Sequence, residues 1–147
     1  MMISLPFVLG DFTPKQGTAR TECKGDRTVS GLASTSTQRT VNGTSAGTEA
    51  TTGKDSAGTF SVARVIGDTT AGIVIPIASG KPSYPTAGSV IRSMRATITY
   101  TGKTPTTASR REVVTYDGSA TAKLVITRDG VTKNCTIALP RGRPACS

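Results

Sequence analysis

The chain has 147 residues, with 18 Lys and Arg against nine Asp and Glu, a net charge of +9, and neither histidine nor tryptophan. One domain with room for a core fits that length. The missing histidine removes the commonest general base, the usual catalytic triads and most zinc sites. Threonine is in excess at 26 residues, and its branched Cβ packs well on a strand whose hydroxyl faces water.

In chain order, residues 1–12 open with an apolar stretch carrying Leu5, Phe7 and Phe12. It reads either as an edge strand or as an apolar arm that docks on a partner, since exposed apolar groups are disfavoured unless covered. It has no basic leader region, Pro6 interrupts it, and no stretch reaches the roughly 20 apolar residues of a membrane span. Residues 13–26 are polar, with Pro and Gly, and read as a loop. Arg27-Thr28-Val29-Ser30-Gly31 then recurs twelve residues on as Arg39-Thr40-Val41-Asn42-Gly43, the spacing of strand-and-turn units. The Thr, Gly, Ser and Ala of residues 44–58 predict a long loop or a weak hairpin.

Phe60 to Ile66 is predicted as a strand, and Ile73 to Ile77 as a continuous apolar run in which Pro76 suits an edge or a bulge. Val90 to Thr101 alternates, with Met94, Ala96, Ile98 and Tyr100 on one face and Arg95, Thr97 and Thr99 on the other. Two Asp-Gly pairs follow, and such pairs favour the type I′ hairpin turn. With Asp129-Gly130 as the loop, Leu124 faces Cys135, Ala122 faces Ile137, and Ile126 faces the stem of Lys133. The other face pairs Thr127 with Thr132 and Lys123 with Thr136, so apolar meets apolar and polar meets polar. Taking Asp117-Gly118 as a second two-residue loop puts Val113 beside Ala122 and Glu112 opposite Lys123. Together these features predict an all-β, antiparallel β-sandwich or meander of seven to nine strands in a single domain, residues 1–147, with a basic tail at 140–147.

The chemistry for catalysis is missing. Asp117, Asp129 and Glu112 have structural explanations, and no nucleophile elbow, phosphate loop or dinucleotide motif occurs. Cys23, Cys135 and Cys146 match no zinc or redox spacing. A Cys135–Cys146 bridge would staple the tail to the sheet, and Cys23–Cys146 is an alternative. No cofactor and no metal is expected, and the chain reads as a non-enzyme.

Charge is concentrated late. Residues 1–90 hold eight Lys/Arg and six Asp/Glu, a net of +2, whereas residues 91–147 hold ten and three, a net of +7. Arg92, Arg95, Arg110, Arg111, Arg141 and Arg143 would give attraction to an acidic partner such as a protein surface or anionic lipid headgroups. Nucleic acid is the weaker option, because no recognition helix and no basic-aromatic interleaving is present.

From Arg39-Thr40-Val41-Asn42-Gly43-Thr44 onward, the chain resembles small Thr-rich β-proteins of gemmatimonad bacteria. The echoes are Gly88-Ser89-Val90-Ile91-Arg92 and Val125-Ile126-Thr127-Arg128-Asp129-Gly130-Val131-Thr132-Lys133-Asn134-Cys135-Thr136, with the basic tail ending near Cys146. The resemblance implies a membrane-extrinsic accessory subunit of a photosynthetic reaction-centre and light-harvesting complex, without catalytic role and without a site motif to carry over. The expectation is therefore a structural subunit, peripheral to a membrane and leaning to its cytoplasmic face, docked on a larger, membrane-embedded protein assembly. A virion or cell-surface structural protein is the alternative, and a basic nucleic-acid-binding module the third reading.

Overall fold

A computed structural model describes residues 2–4, 17–77 and 83–147. Eight strands follow residue 16: β2 (Gly17–Ser30), β3 (Gln38–Asp55), β4 (Gly58–Pro76), β5 (Ala87–Tyr100), β6 (Thr106–Thr115), β7 (Thr121–Arg128), β8 (Val131–Ala138) and β9 (Pro144–Cys146). A short β1 (Met2–Ser4) runs along one edge against β2. All are antiparallel and lie in sequence order in one sheet, with no helix among the described residues. The meander expectation holds. The two-layer sandwich does not, because each strand pairs only with its sequence neighbours and no second sheet forms among the described residues.

Two segments read as loops are strands. Residues 17–26 belong to β2, and residues 44–55 to the 18-residue β3. Their small residues hide a strand from any apolar pattern, yet β3 is laddered on both sides, to β2 and to β4. Close strand approach also requires some of those glycines. A Cβ at Gly47 would stand 2.5 Å from the Cys23 sulfur, and one at Gly43 2.5 Å from the Asp26 carbonyl. The internal echo is a hairpin: Val29 lies opposite Val41 and Thr28 opposite Asn42.

The long strands bend where their registers slip, between Val41 and Gly43 on β3 and between Ala71 and Val74 on β4. Gly72 takes a φ of +58° there and Gly88, its neighbour on β5, a φ of +100°. A side chain on Gly88 would collide with the Gly72 carbonyl. The Asn42 side-chain oxygen accepts from the Gly72 N–H at 2.7 Å, satisfying the group that the bulge frees. Pro76 is the last residue of β4, where its missing N–H disturbs no interior ladder.

The β7–β8 hairpin has the predicted register, residue for residue. Asp129 and Gly130 have φ of +48° and +83°, as a type I′ turn needs. Asp129 does more than turn the chain. Its carboxylate accepts from the Ser109 N–H at 2.6 Å, and its own N–H donates to the Ser109 carbonyl at 3.0 Å. The hairpin tip is thereby tied to β6.

The Asp117-Gly118 connection differs from the expectation. Asp117 accepts from the Ser119 N–H at 3.1 Å and hydroxyl at 2.7 Å, closing a wider loop between Thr115 and Thr121. That changes the register by an odd number of residues and turns β6 over. Val114 faces Leu124, Val113 faces Val125, and Glu112 faces Ile126 rather than Lys123.

Among the described residues the buried apolar side chains are Ile73, Ala122, Leu124 and Cys135, all near the bend and the C-terminal hairpin. Leu124 is held between Val114 and Cys135, which a disulfide joins to Cys146 on β9. The basic tail is thus stapled to the sheet edge.

Two stability predictions follow from this construction. Gly130→Val should cost more than about 1 kcal/mol from backbone strain alone, since a β-branched residue resists positive φ and nothing lies within 4 Å of the added Cβ. Cys146→Ser should cost roughly 2–3 kcal/mol by releasing a short loop in the unfolded chain. Chemical denaturation measures both; unchanged midpoints would mean that the turn and the staple are misassigned.

Candidate interaction surface

Cross-strand partners lie on the same side of a sheet, so the registers sort every strand residue onto one of two faces. One face carries Thr18, Thr52, Thr97, Thr107, Thr127 and Thr132. Their hydroxyls pair across the strands at 3.0, 3.2 and 3.1 Å. This threonine face is the wet one, and along β2 and β3 its residues are exposed.

The opposite face is the more covered, and it is unevenly built. Its β2–β3 portion holds the small residues Cys23, Gly25, Gly43, Ser45 and Gly47, bounded by Arg27 and Glu49. Its β4–β5 portion holds Phe60, Val62, Ile66, Met94, Ile98 and Tyr100, mostly large. A trough therefore runs beside a ridge. A shallow groove of about 270 Å³ crosses the strands here, lined by Cys23, Gly47, Ile66, Met94 and Arg110, which form one continuous cross-strand row. Cys23 is a free thiol, half-buried in the trough.

Charge on this groove face is paired only in part, since exposed Arg27, Arg128 and Lys133 share the face and have no carboxylate partner among the described residues. Glu49 meets Arg64 at 3.3 Å, Asp68 meets Arg92 at 3.1 Å, and Glu112 meets the Arg110 Nε at 2.8 Å. These pairs are half-exposed and contribute little to stability, and they leave the face with an excess of positive charge.

The arginines singled out from the sequence are accordingly divided. Arg92 and Arg110 lie on the groove face and are committed to carboxylates. Arg95 and Arg111 lie on the threonine face, the one opposite Ser109 and the other opposite Ser93. Arg141 and Arg143 are exposed in the segment that leads into β9. Leu5, Phe7 and Phe12 lie outside the described residues. Sequence reasoning missed the trough. Its only signal was the run of small residues in 43–53, which also suits a loop.

A polar cluster closes the far end of the sheet. The Tyr100 hydroxyl donates to the Asp55 carboxylate at 2.8 Å, and the Ala57 N–H donates to the same carboxylate at 2.8 Å. The Tyr100 ring stands 5.8 Å from Phe60, with the Lys103 ammonium 5.5 Å from its centroid. The hydroxyl, then the Ala57 amide, holds the Asp55 carboxyl below the usual 3.8, and the same bond raises the Tyr100 hydroxyl above 10.0. Hydrogen bonds from Ser119 likewise lower Asp117. Both aspartates have turn duties, and no cluster of three or more potential metal ligands occurs among the described residues. Nor, among those residues, is any helix long and apolar enough to cross a membrane.

No protein-family model, no curated protein and no solved structure matches this chain.

The carboxylates set the pH dependence. A depressed carboxyl stabilises the fold above its unfolded value of 3.8, and that contribution disappears as pH falls through the lower folded value. The raised Tyr100 hydroxyl stabilises below 10.0 and loses its contribution as pH rises through the folded value. Melting temperature should therefore fall at both extremes, and Tyr100→Phe should weaken both dependences. Parallel pH profiles for the two proteins would show that the Tyr100–Asp55 bond does not form.

Proposed function

We propose that this chain is a non-catalytic structural subunit that docks through its groove face within a larger assembly. The observation that carries this reading is its surface. Among the described residues only Ile73, Ala122, Leu124 and Cys135 are buried apolar side chains, while Ile98 and Val131 on the groove face stay exposed. So thin a core goes with a protein whose apolar face is covered by a neighbour. Arg95 and Arg111 on the threonine face, which have no carboxylate partner among the described residues, with Arg141 and Arg143 at the edge, support attraction to an acidic protein or to anionic headgroups. A membrane-embedded partner, and a photosynthetic reaction-centre and light-harvesting complex above all, draws on the Thr-rich sequence echoes alone.

The alternative, a virion or cell-surface structural protein, is favoured by one observation. The Cys135–Cys146 disulfide is of the kind that persists in oxidising surroundings and is rare in the cytosol.

Native separation of gently solubilised cells that make the protein tests the proposal. The chain should run in a particle well above its own 15.1 kDa, and a membrane-docked pool should be released by salt, which screens exposed charges beyond about 8–10 Å. A native pool running wholly as free monomer would sink the proposal.

A further inference from the structure

We infer that the groove binds a single-chain anionic amphiphile, a long-chain carboxylate, with its tail across β2–β5 and its head at Arg110 and Arg128. This goes beyond the structural-subunit reading and holds whether or not a protein covers the rest of the face. Three features set the chemistry of the ligand.

One wall of the groove is apolar for the length of a tail. Cys23, Gly47, Ile66 and Met94 form that wall as one cross-strand row, which Arg110 and Arg128 continue. The neighbouring row forms the other wall, with Ser45, the Asp68–Arg92 ion pair and Glu112. From Cys23 to Met94 is three strand spacings, ~14 Å, the reach of an extended chain of about ten to twelve carbons. The volume of about 270 Å³ falls just below the roughly 300–1,000 Å³ of small-molecule clefts, which suits a single chain in a shallow slot.

Positive charge gathers where that wall ends. Arg110 stands directly opposite Arg128, and like charges so placed repel. Lys133 lies two residues from Val131, the partner of Arg128, so it adds a third cation on the diagonal. Glu112 answers Arg110 alone, one of its oxygens accepting from both Nε and Nη2. A carboxylate between Arg110 and Arg128 converts their repulsion into charge-assisted hydrogen bonds.

The polarity runs one way. At the β2–β3 end the groove is lined by Cys23, Ser45 and Gly47, and Arg27 lies one row further out, opposite Gly43. A ligand with one apolar and one anionic end is therefore held in a single direction.

The experiment is isothermal titration calorimetry of the full chain with sodium laurate below its micelle concentration. Octanoate shortens the tail and dodecyltrimethylammonium reverses the head charge. Laurate should bind at one per chain, and the cationic twin should not saturate. Octanoate should bind more weakly by about tenfold or more, since each buried methylene changes affinity by about two- to fourfold. Two variants with the same change in net charge locate the head. Arg128→Glu on the groove face should weaken laurate by about fivefold or more, as loss of a charge-assisted bond does. Arg111→Glu on the threonine face should change it by less than about twofold, because exposed charges are screened by salt. Circular dichroism checks that both variants keep the sheet. Should Arg128→Glu fail to fold, maleimide labelling of Cys23 in the parent decides. Saturating laurate should slow that labelling, and octanoate at the same concentration should not.

No saturable laurate binding, equal weakening by the two variants, or a Cys23 that laurate leaves unprotected overturns the inference. Laurate would then meet the chain only as a non-specific detergent. The structural-subunit reading would stand, since native separation tests it independently.

Discussion

The backbone ladder is the interaction on which everything else in this chain depends, because a sheet one layer thick has no opposing layer against which to bury side chains. Adjacent strands exchange hydrogen bonds through unbroken registers of up to 14 paired residues between β2 and β3. Side-chain burial does far less. Its few buried apolar side chains are Ile73 at the β4 bend and Ala122, Leu124 and Cys135 at the disulfide-bridged C-terminal hairpin. Apart from Gly47 and Ile73, the alternation along β2–β4 is between half-buried and exposed, not between buried and exposed.

A ladder of this kind places its demands on the connections and on the glycines. Every turn must return the chain in register, since a slip of one residue moves a whole strand's side chains to the other face. Asp129 does this twice over, by adopting positive φ and by bonding to Ser109. Asn42 performs a comparable task at the bulge, where it answers the Gly72 N–H. The glycines of β2 and β3 let strands approach where a Cβ would strike backbone or the Cys23 sulfur. Their side effect is the trough, so the feature that makes the surface distinctive arises from the packing of the sheet itself.

How much of this was legible in the sequence follows from which forces leave a local mark. The Asp129-Gly130 hairpin was readable in full, because turn chemistry and side-chain alternation agreed. The connection at Asp117-Gly118 was not, because Ser119 offered the aspartate a local partner and widened the loop. Residues 44–55 looked like a loop because threonine and glycine carry no apolar period. Their strand is imposed by neighbours on both sides, a tertiary effect. Alternation also states which residues share a face but not what covers that face, so sandwich and open sheet read alike. The same limit applied to the arginines. Arg92 and Arg95 sit three apart and therefore on opposite faces, and Arg110 and Arg111 are adjacent and so divided as well. The trough remained hidden because Cys23, Gly47, Ile66 and Met94 come together only through three successive registers.

Amide hydrogen exchange across residues 38–76 tests the single-sheet architecture most directly. Slow exchange should run continuously through β3 and β4, including the Thr- and Gly-rich residues 44–55, because ladders on both sides hold those amides. The break should come at Ser56 and Ala57, between the two strands. Rapid exchange throughout residues 44–58, with protection confined to the apolar segments on either side, would contradict the account. The small-residue stretch would then be a loop, and the trough it forms would not exist.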